Sequence, residues 1–135
     1  MSYSTYLKAK IHRATVTYAN REYEGSLTLD AKLMEEAGLL PFERIEVYNC
    51  SNGGRFATYL IAGERDSGVV GINGAAAWKA RERDIVIIAA YKVLDDAELP
   101  DHEVRLIYLD ARNALVARKV EKLTRASALV VDIDA

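Results

Sequence analysis

The sequence predicts one mainly β domain, and three observations carry the prediction. Eight tyrosines among many valines and isoleucines favour strands, while two prolines and eight glycines are far from a disordered or collagenous composition. Short alternating runs follow one another along the chain, separated by turn-forming clusters. One segment alone, Ala31 to Ala37, carries the clear spacing and stop signals of a helix. Many short strands with so few helices suggest a barrel, because an open parallel sheet would demand regular crossover helices.

At 135 residues, 50% hydrophobic and 28% charged, the chain is long enough for one compact core and too short for two ordinary domains. A formal charge of -2 gives no net electrostatic reason to bind nucleic acid or an anionic membrane surface. Any anionic ligand must then be held by a few placed cations. The lone Cys50 cannot form an internal disulfide, Met1 to Lys10 lacks the apolar core of a signal peptide, and no run approaches membrane-spanning length. A cytoplasmic location is expected.

Leu7 to Tyr18 reads as a strand with Lys10, His12 and Ala14 on one face and Ile11, Arg13 and Thr15 on the other. Asn20 and Arg21 suit a turn. Ser26 to Asp30 alternates as a strand, so Gly25-Ser26 lies at a strand mouth, a place that can hold strain. Asp30 is an N-cap for the helix Ala31 to Ala37, with Leu33, Met34 and Ala37 on its apolar side and Gly38 as the stop.

Ile45 to Cys50 and Phe56 to Ala62 read as a hairpin turning through Ser51-Asn52-Gly53-Gly54. Arg55, Ala57 and Tyr59 then face one way, with Phe56, Thr58 and Leu60 opposite. Val69 to Ile72 is a short strand, followed by a small-residue loop from Asn73 to Trp78 that lets a ligand approach the backbone. Trp78 is expected to pack. The run within Asp84 to Val93 suits a strand buried on both faces or at a subunit contact. Val104 to Leu109 and Leu115 to Val120 are the last strands, and residues 121–135 form a tail whose order the sequence leaves open.

Of the chemistries considered, metal binding lacks ligand spacing, since His12 and His102 are far apart and only one cysteine is present. A hydrolase built from Ser26, His12 and Asp30 lacks the G-x-S-x-G elbow, and Gly53-Gly54 is not followed by the P-loop lysine and hydroxyl. A serine directly after glycine offers a further chemistry. Its hydroxyl can attack the Gly25 carbonyl to give an ester, which eliminates to dehydroalanine and hydrolyses to an N-terminal pyruvoyl group. Glycine admits strained angles and crowds the attack least. The oxyanion needs a donor, for which Thr58 is the candidate.

Four stretches gather around that junction: Lys10-Ile11-His12-Arg13-Ala14, Tyr23-Glu24-Gly25-Ser26-Leu27-Thr28-Leu29-Asp30, Asn52-Gly53-Gly54-Arg55-Phe56-Ala57-Thr58-Tyr59, and Asn73-Gly74-Ala75-Ala76-Ala77. In order and spacing, from about Tyr6 to Val120, the chain resembles the pyruvoyl-dependent aspartate 1-decarboxylase family. The resemblance implies a double-psi β-barrel with one or two short helices and a homotetramer with active sites between neighbouring subunits. It also implies self-cleavage between Gly25 and Ser26 into fragments 1–25 and 26–135.

Ser26 would become a covalent pyruvoyl cofactor, with no pyridoxal phosphate and no metal. L-Aspartate would condense with it through its amine, lose its α-carboxylate as carbon dioxide and leave as β-alanine for pantothenate and coenzyme A synthesis. By the same resemblance Tyr59 is the proton donor, Thr58 supports cleavage, and Lys10 and Arg55 bind the substrate carboxylates. His12 assists at a carboxylate. Asn73 hydrogen-bonds the bound adduct or helps cleavage, and the backbone of Gly74, Ala75 and Ala76 contacts it. Tyr48 departs from the family, where tryptophan is common, and the tail has no counterpart. A maturation partner, needed by some bacterial members and not others, is a further implied contact. The competing expectations are an uncleaved, non-catalytic barrel that binds a small acidic ligand or a protein partner, and an ordinary serine hydrolase.

Overall fold

A computed structural model describes residues 2–122, so all but the first two residues of the tail 121–135 lie outside the described residues. Nine strands form: β1 (Tyr3–Thr15), β2 (Tyr18–Asn20), β3 (Ser26–Asp30), β4 (Arg44–Asn49), β5 (Arg55–Gly63), β6 (Val70–Asn73), β7 (Ile85–Asp95), β8 (Glu103–Leu109) and β9 (Leu115–Lys122). The helix α1 spans Ala31–Ala37, and 3-10 turns occupy Gly74–Trp78 and Leu99–Asp101. The mainly β class with little helix is the one expected.

The hydrogen-bonded order is β2-β6-β3-β5-β4-β7-β1-β8-β9. Pairs β1/β8, β2/β6 and β3/β5 are parallel and the others antiparallel. Written out, this sheet has two ends, but β1 and β2 are consecutive along the chain, joined by Val16 and Thr17. The Thr17 amide donates to Val70 O at 2.8 Å, while the Val16 amide donates to Asp84 O at 2.9 Å. One stretch therefore borders both β6 and the start of β7 beside a single core, although the hydrogen-bonded sheet is not a closed barrel.

That core is built from alternating strand positions. Ile11, Leu27, Leu29, Ile45, Leu60, Ile72, Ile88 and Ile107 are all fully buried, each such side chain stabilising the fold by roughly 1.5–3 kcal/mol. Helix α1 adds Leu33, Met34 and Ala37. Its start is fixed by Asp30, whose Oδ1 accepts from the Lys32 amide at 2.8 Å, and its end by Gly38 in the left-handed region at φ 71°.

Two expectations need correction. Ala14 lies with Ile11 in the core and not beside Lys10 and His12, because β1 bulges between Ile11 and Ala14 with Arg13 at φ 62°. Trp78 does not pack inward: it is 71% exposed, with the Arg21 guanidinium 3.8 Å from its ring centroid.

Candidate active site around Ser26

Ser26 is the first residue of β3, and the register fixes its neighbours. It pairs with Asn73 of β6, while Leu27 pairs with Ile72 on one side and Leu60 on the other. Leu27, Leu60 and Ile72 point into the core; by strand alternation Ser26, Thr28, Gly71 and Asn73 share the opposite face. Continuing the β3/β5 register back by one residue sets Tyr59 level with Ser26.

On that face Asn73 is the hub. Its Nδ2 donates to Ser26 Oγ at 3.0 Å and to Thr28 Oγ1 at 2.9 Å. The Tyr18 hydroxyl donates to the same Thr28 oxygen at 3.1 Å. Although these residues lie outside the core, Ser26 is only 2% and Asn73 only 1% exposed. The Tyr18 ring lies across Gly71, where a side chain would collide with it. Sequence reasoning assigned Thr28 and Tyr18 no role; their convergence depends on β2 and β3 flanking the same strand, which local pattern does not reveal.

The left-handed backbone beside the Gly25-Ser26 bond belongs to Gly74, not to Gly25, whose φ is not among the positive values found in the described residues. Gly74 has φ 70°, and a Cβ there would lie 2.7 Å from both Cα and N of Gly25. The bare Gly74 backbone therefore packs directly against residue 25, and Ala75 and Ala76 continue the turn above it. The small-residue loop was expected to let a ligand approach its backbone; at Gly74 it is the backbone of Tyr23 and Gly25 that lies close.

Thr58 does not join this cluster: among the described residues no hydrogen bond links it to Gly25 or Ser26. It lines a cleft with Arg44, Ala57 and Tyr59, and Tyr59 also meets Phe42 at 6.2 Å between ring centroids. Arg55 shares the Tyr59 face but not this cleft. Its guanidinium stacks 4.6 Å from the centroid of Tyr48, whose hydroxyl is 2.6 Å from that of Tyr91. The Tyr91 hydrogen bond, followed by burial, pushes the Tyr48 phenol up to about 12.

Lys10 and His12 share the outward face of β1 before the bulge, as expected. Burial, then the charges of Lys10 and Arg13, holds the His12 imidazole below its ordinary value, so it is neutral near pH 7. His12 Nδ1 is buried without a partner, and its ring meets Tyr108 edge-on at 5.7 Å. Neither Lys10 nor Arg55 forms an ion pair among the described residues, and no hydrogen bond joins either to Ser26. These cations are free to meet an anion.

A Ser26-His12-Asp30 triad does not form. Asp30 Oδ1 accepts from the amides of Lys32 and Asp66 and Oδ2 accepts from that of Gly68, at 2.8 to 3.0 Å, so the carboxylate caps α1 and anchors a loop. Ser26 has Asn73, not a histidine, at its hydroxyl. Among the described residues no cluster of three or more His, Cys, Asp or Glu could hold a metal, and no helix is long and apolar enough to cross a membrane.

The family described as aspartate decarboxylase matches residues 2–116. Among curated proteins, the chain is 49% identical to aspartate 1-decarboxylase of Sulfurihydrogenibium sp. (strain YO3AOP1) over 121 residues, which is 90% of each chain. It is 52% identical to that of Persephonella marina over 109 residues, 81% of this chain and 78% of the relative. It is 50% identical to that of Psychromonas ingrahamii over 112 residues, 83% of this chain and 89% of the relative.

Proposed function

This chain belongs to the aspartate decarboxylase family, and from that premise we propose that it decarboxylates L-aspartate to β-alanine after cutting itself between Gly25 and Ser26. The observation that carries the cleavage step is the setting of Ser26: a buried hydroxyl one bond after a glycine, with an Asn73 N–H on its oxygen at 3.0 Å.

In that step Ser26 Oγ attacks the Gly25 carbonyl carbon, the Gly25–Ser26 C–N bond breaks, and the hydroxyl proton goes to the Ser26 nitrogen. The resulting ester eliminates: the Cα hydrogen of residue 26 leaves as a proton, the Cβ–O bond breaks, and the products are a Gly25 carboxylate and a dehydroalanine at position 26. Water then displaces ammonia to give the pyruvoyl end. Asn73 holds the attacking oxygen, and Gly74 presses the Gly25 backbone towards it, which restricts the two reacting groups to a narrow range of approach. Thr58 is proposed to support the oxyanion, a contact that requires movement of the 23–25 segment or an approach in the assembled protein.

The residues present fit a pyruvoyl group: the position is buried, closed by Asn73 and free of a side chain at Gly74. Such a group supplies an electrophilic carbonyl that takes the substrate amine and the electron pair released with carbon dioxide. Arg55 and Lys10 hold the two carboxylates, His12 donates a neutral hydrogen bond, Asn73 orients the bound molecule, and Tyr59 returns a proton to the α-carbon. We also propose a homotetramer with sites completed between neighbouring subunits, a reading that rests on membership of the family. We also propose that the enzyme works in the cytoplasm and that its β-alanine feeds pantothenate and coenzyme A synthesis.

The test is the intact mass of denatured protein together with labelling by hydrazine. The expected result is two fragments, 1–25 and 26–135, with the larger one carrying the carbonyl label. Active protein consisting of one intact chain would overturn the self-cleavage proposal.

A further inference from the structure

We infer that Tyr18 is a positioning residue for the self-cleavage of Ser26, acting through Thr28 and Asn73. The inference rests on the cleavage reading above and extends it to a residue outside the reacting groups. Three hydrogen bonds connect these side chains in series: Tyr18 Oη to Thr28 Oγ1 at 3.1 Å, Asn73 Nδ2 to that same oxygen at 2.9 Å, and Asn73 Nδ2 to Ser26 Oγ at 3.0 Å.

The chemistry of each group sets its part in the chain. A threonine hydroxyl has two acceptor sites, filled here by Tyr18 and Asn73. With Tyr18 bound on the outer side, the inner site remains for Asn73, whose second N–H then points at Ser26. Ser26 Oγ is thus held as an acceptor and keeps its own hydrogen, the proton that must travel to the Ser26 nitrogen when the C–N bond breaks. Loss of the outer bond frees the Thr28 hydroxyl to rotate and loosens the Asn73 amide.

The Tyr18 ring has a second effect. It lies over Gly71, whose missing side chain gives it room, on the face that also carries Ser26 and Asn73. Those two residues are almost fully buried although they point away from the core, while Tyr18 itself is 37% exposed. Water is kept from competing for the Ser26 hydroxyl, and a buried hydrogen-bond series is stronger for being dry.

The experiment follows cleavage of freshly synthesised full-length chain by intact mass for the wild type, Tyr18→Phe, Thr28→Val and the double variant. Tyr18→Phe keeps the ring and loses one hydrogen bond, so cleavage is expected to slow by about 2- to 10-fold. Because Tyr18 acts through Thr28, the double variant is expected to cleave no more slowly than Thr28→Val alone, a non-additivity that general destabilisation would not produce. Tyr18→Phe cleaving at the wild-type rate overturns the inference alone, and additive effects overturn the route through Thr28. A wild-type chain that never cleaves overturns the parent reading and this inference with it.

Discussion

Gly74→Ala tests whether contact between the Gly74 turn and the Gly25 backbone governs the cleavage site. The substituted residue would sit at φ 70°, a left-handed conformation that costs an L-residue ~1–2 kcal/mol. Its Cβ would also stand 2.7 Å from Gly25 Cα and N and 2.9 Å from Tyr23 O. These are backbone atoms that cannot rotate aside, and overpacking of this kind costs roughly 1–3 kcal/mol. The combined destabilisation is about 2–5 kcal/mol. Relief of the contact to 3.4 Å requires residue 25 to move by about 0.7 Å, and displacements near 1 Å slow a positioned reaction by up to about a hundredfold.

Stability is measured by urea unfolding in a Ser26→Ala background, where the hydroxyl is absent and every variant stays one chain; cleavage is measured by intact mass in the Ser26 background. Gly25→Ala is the control, because a Cβ there meets nothing within 4 Å. It is expected to unfold like its parent, so any loss of cleavage in that variant reports on the reacting bond itself. Gly74→Ala unfolding at the parent's urea concentration and cleaving at the wild-type rate would refute the packing argument.

Tyr59→Phe is expected to leave two normal fragments and to lower turnover by about 100-fold or more, the scale of a lost general acid; full activity would remove Tyr59 as the proton donor. Thr58→Ala is expected to leave the chain uncleaved by intact mass, and normal cleavage with loss of decarboxylation alone would reverse its proposed role. Tyr91→Phe removes the largest cause of the raised Tyr48 phenol, so an ultraviolet titration should show Tyr48 falling from about 12 towards its ordinary value. The associated stability is present below about pH 10 and lost as pH rises through about 12. His12 has the opposite sign: its depressed folded value gives stability that is full above about pH 6.5 and declines as the pH falls through the folded value. Replacing it with Asn should flatten the acid limb of a stability-pH curve.

Local pattern made much of this fold legible. The alternation of Ser26 to Asp30, the Asp30 cap and the Gly38 stop each depend on neighbours a few residues away, and each forms as read. The Arg13 bulge was not legible, because arginine carries no local signal for a left-handed backbone; its φ of 62° comes from strand pairing on both sides of β1. The same limit hid Tyr18 and Thr28. They meet only because β6 lies between β2 and β3, and because Gly71 leaves space for a ring. Motif order pointed to Ser26, Asn73 and Gly74 together, and ideal alternation put Arg55 and Tyr59 on one face of β5, where both lie exposed. The stacking of Arg55 on Tyr48 depends on the pairing of β5 with β4, which local pattern does not reveal.

The location of the proposed cut reconciles a broken backbone with an intact fold. Arg21 to Gly25 is an exposed connection between β2 and β3, so opening it removes no ladder. Residues 1–25 would remain bound to 26–135 through β1, which pairs along β7 and with β8, and through β2, which pairs with β6. Ala9, Ile11, Ala14 and Val16 of the smaller fragment are all buried in the common core, and hydrophobic burial does not depend on covalent continuity. Lys10 and His12, carried on that fragment, therefore keep their positions on β1 after the cut. The proposed cleavage would change the chemistry of residue 26 while the groups proposed to receive aspartate stay anchored by the same strands that fold the uncut chain.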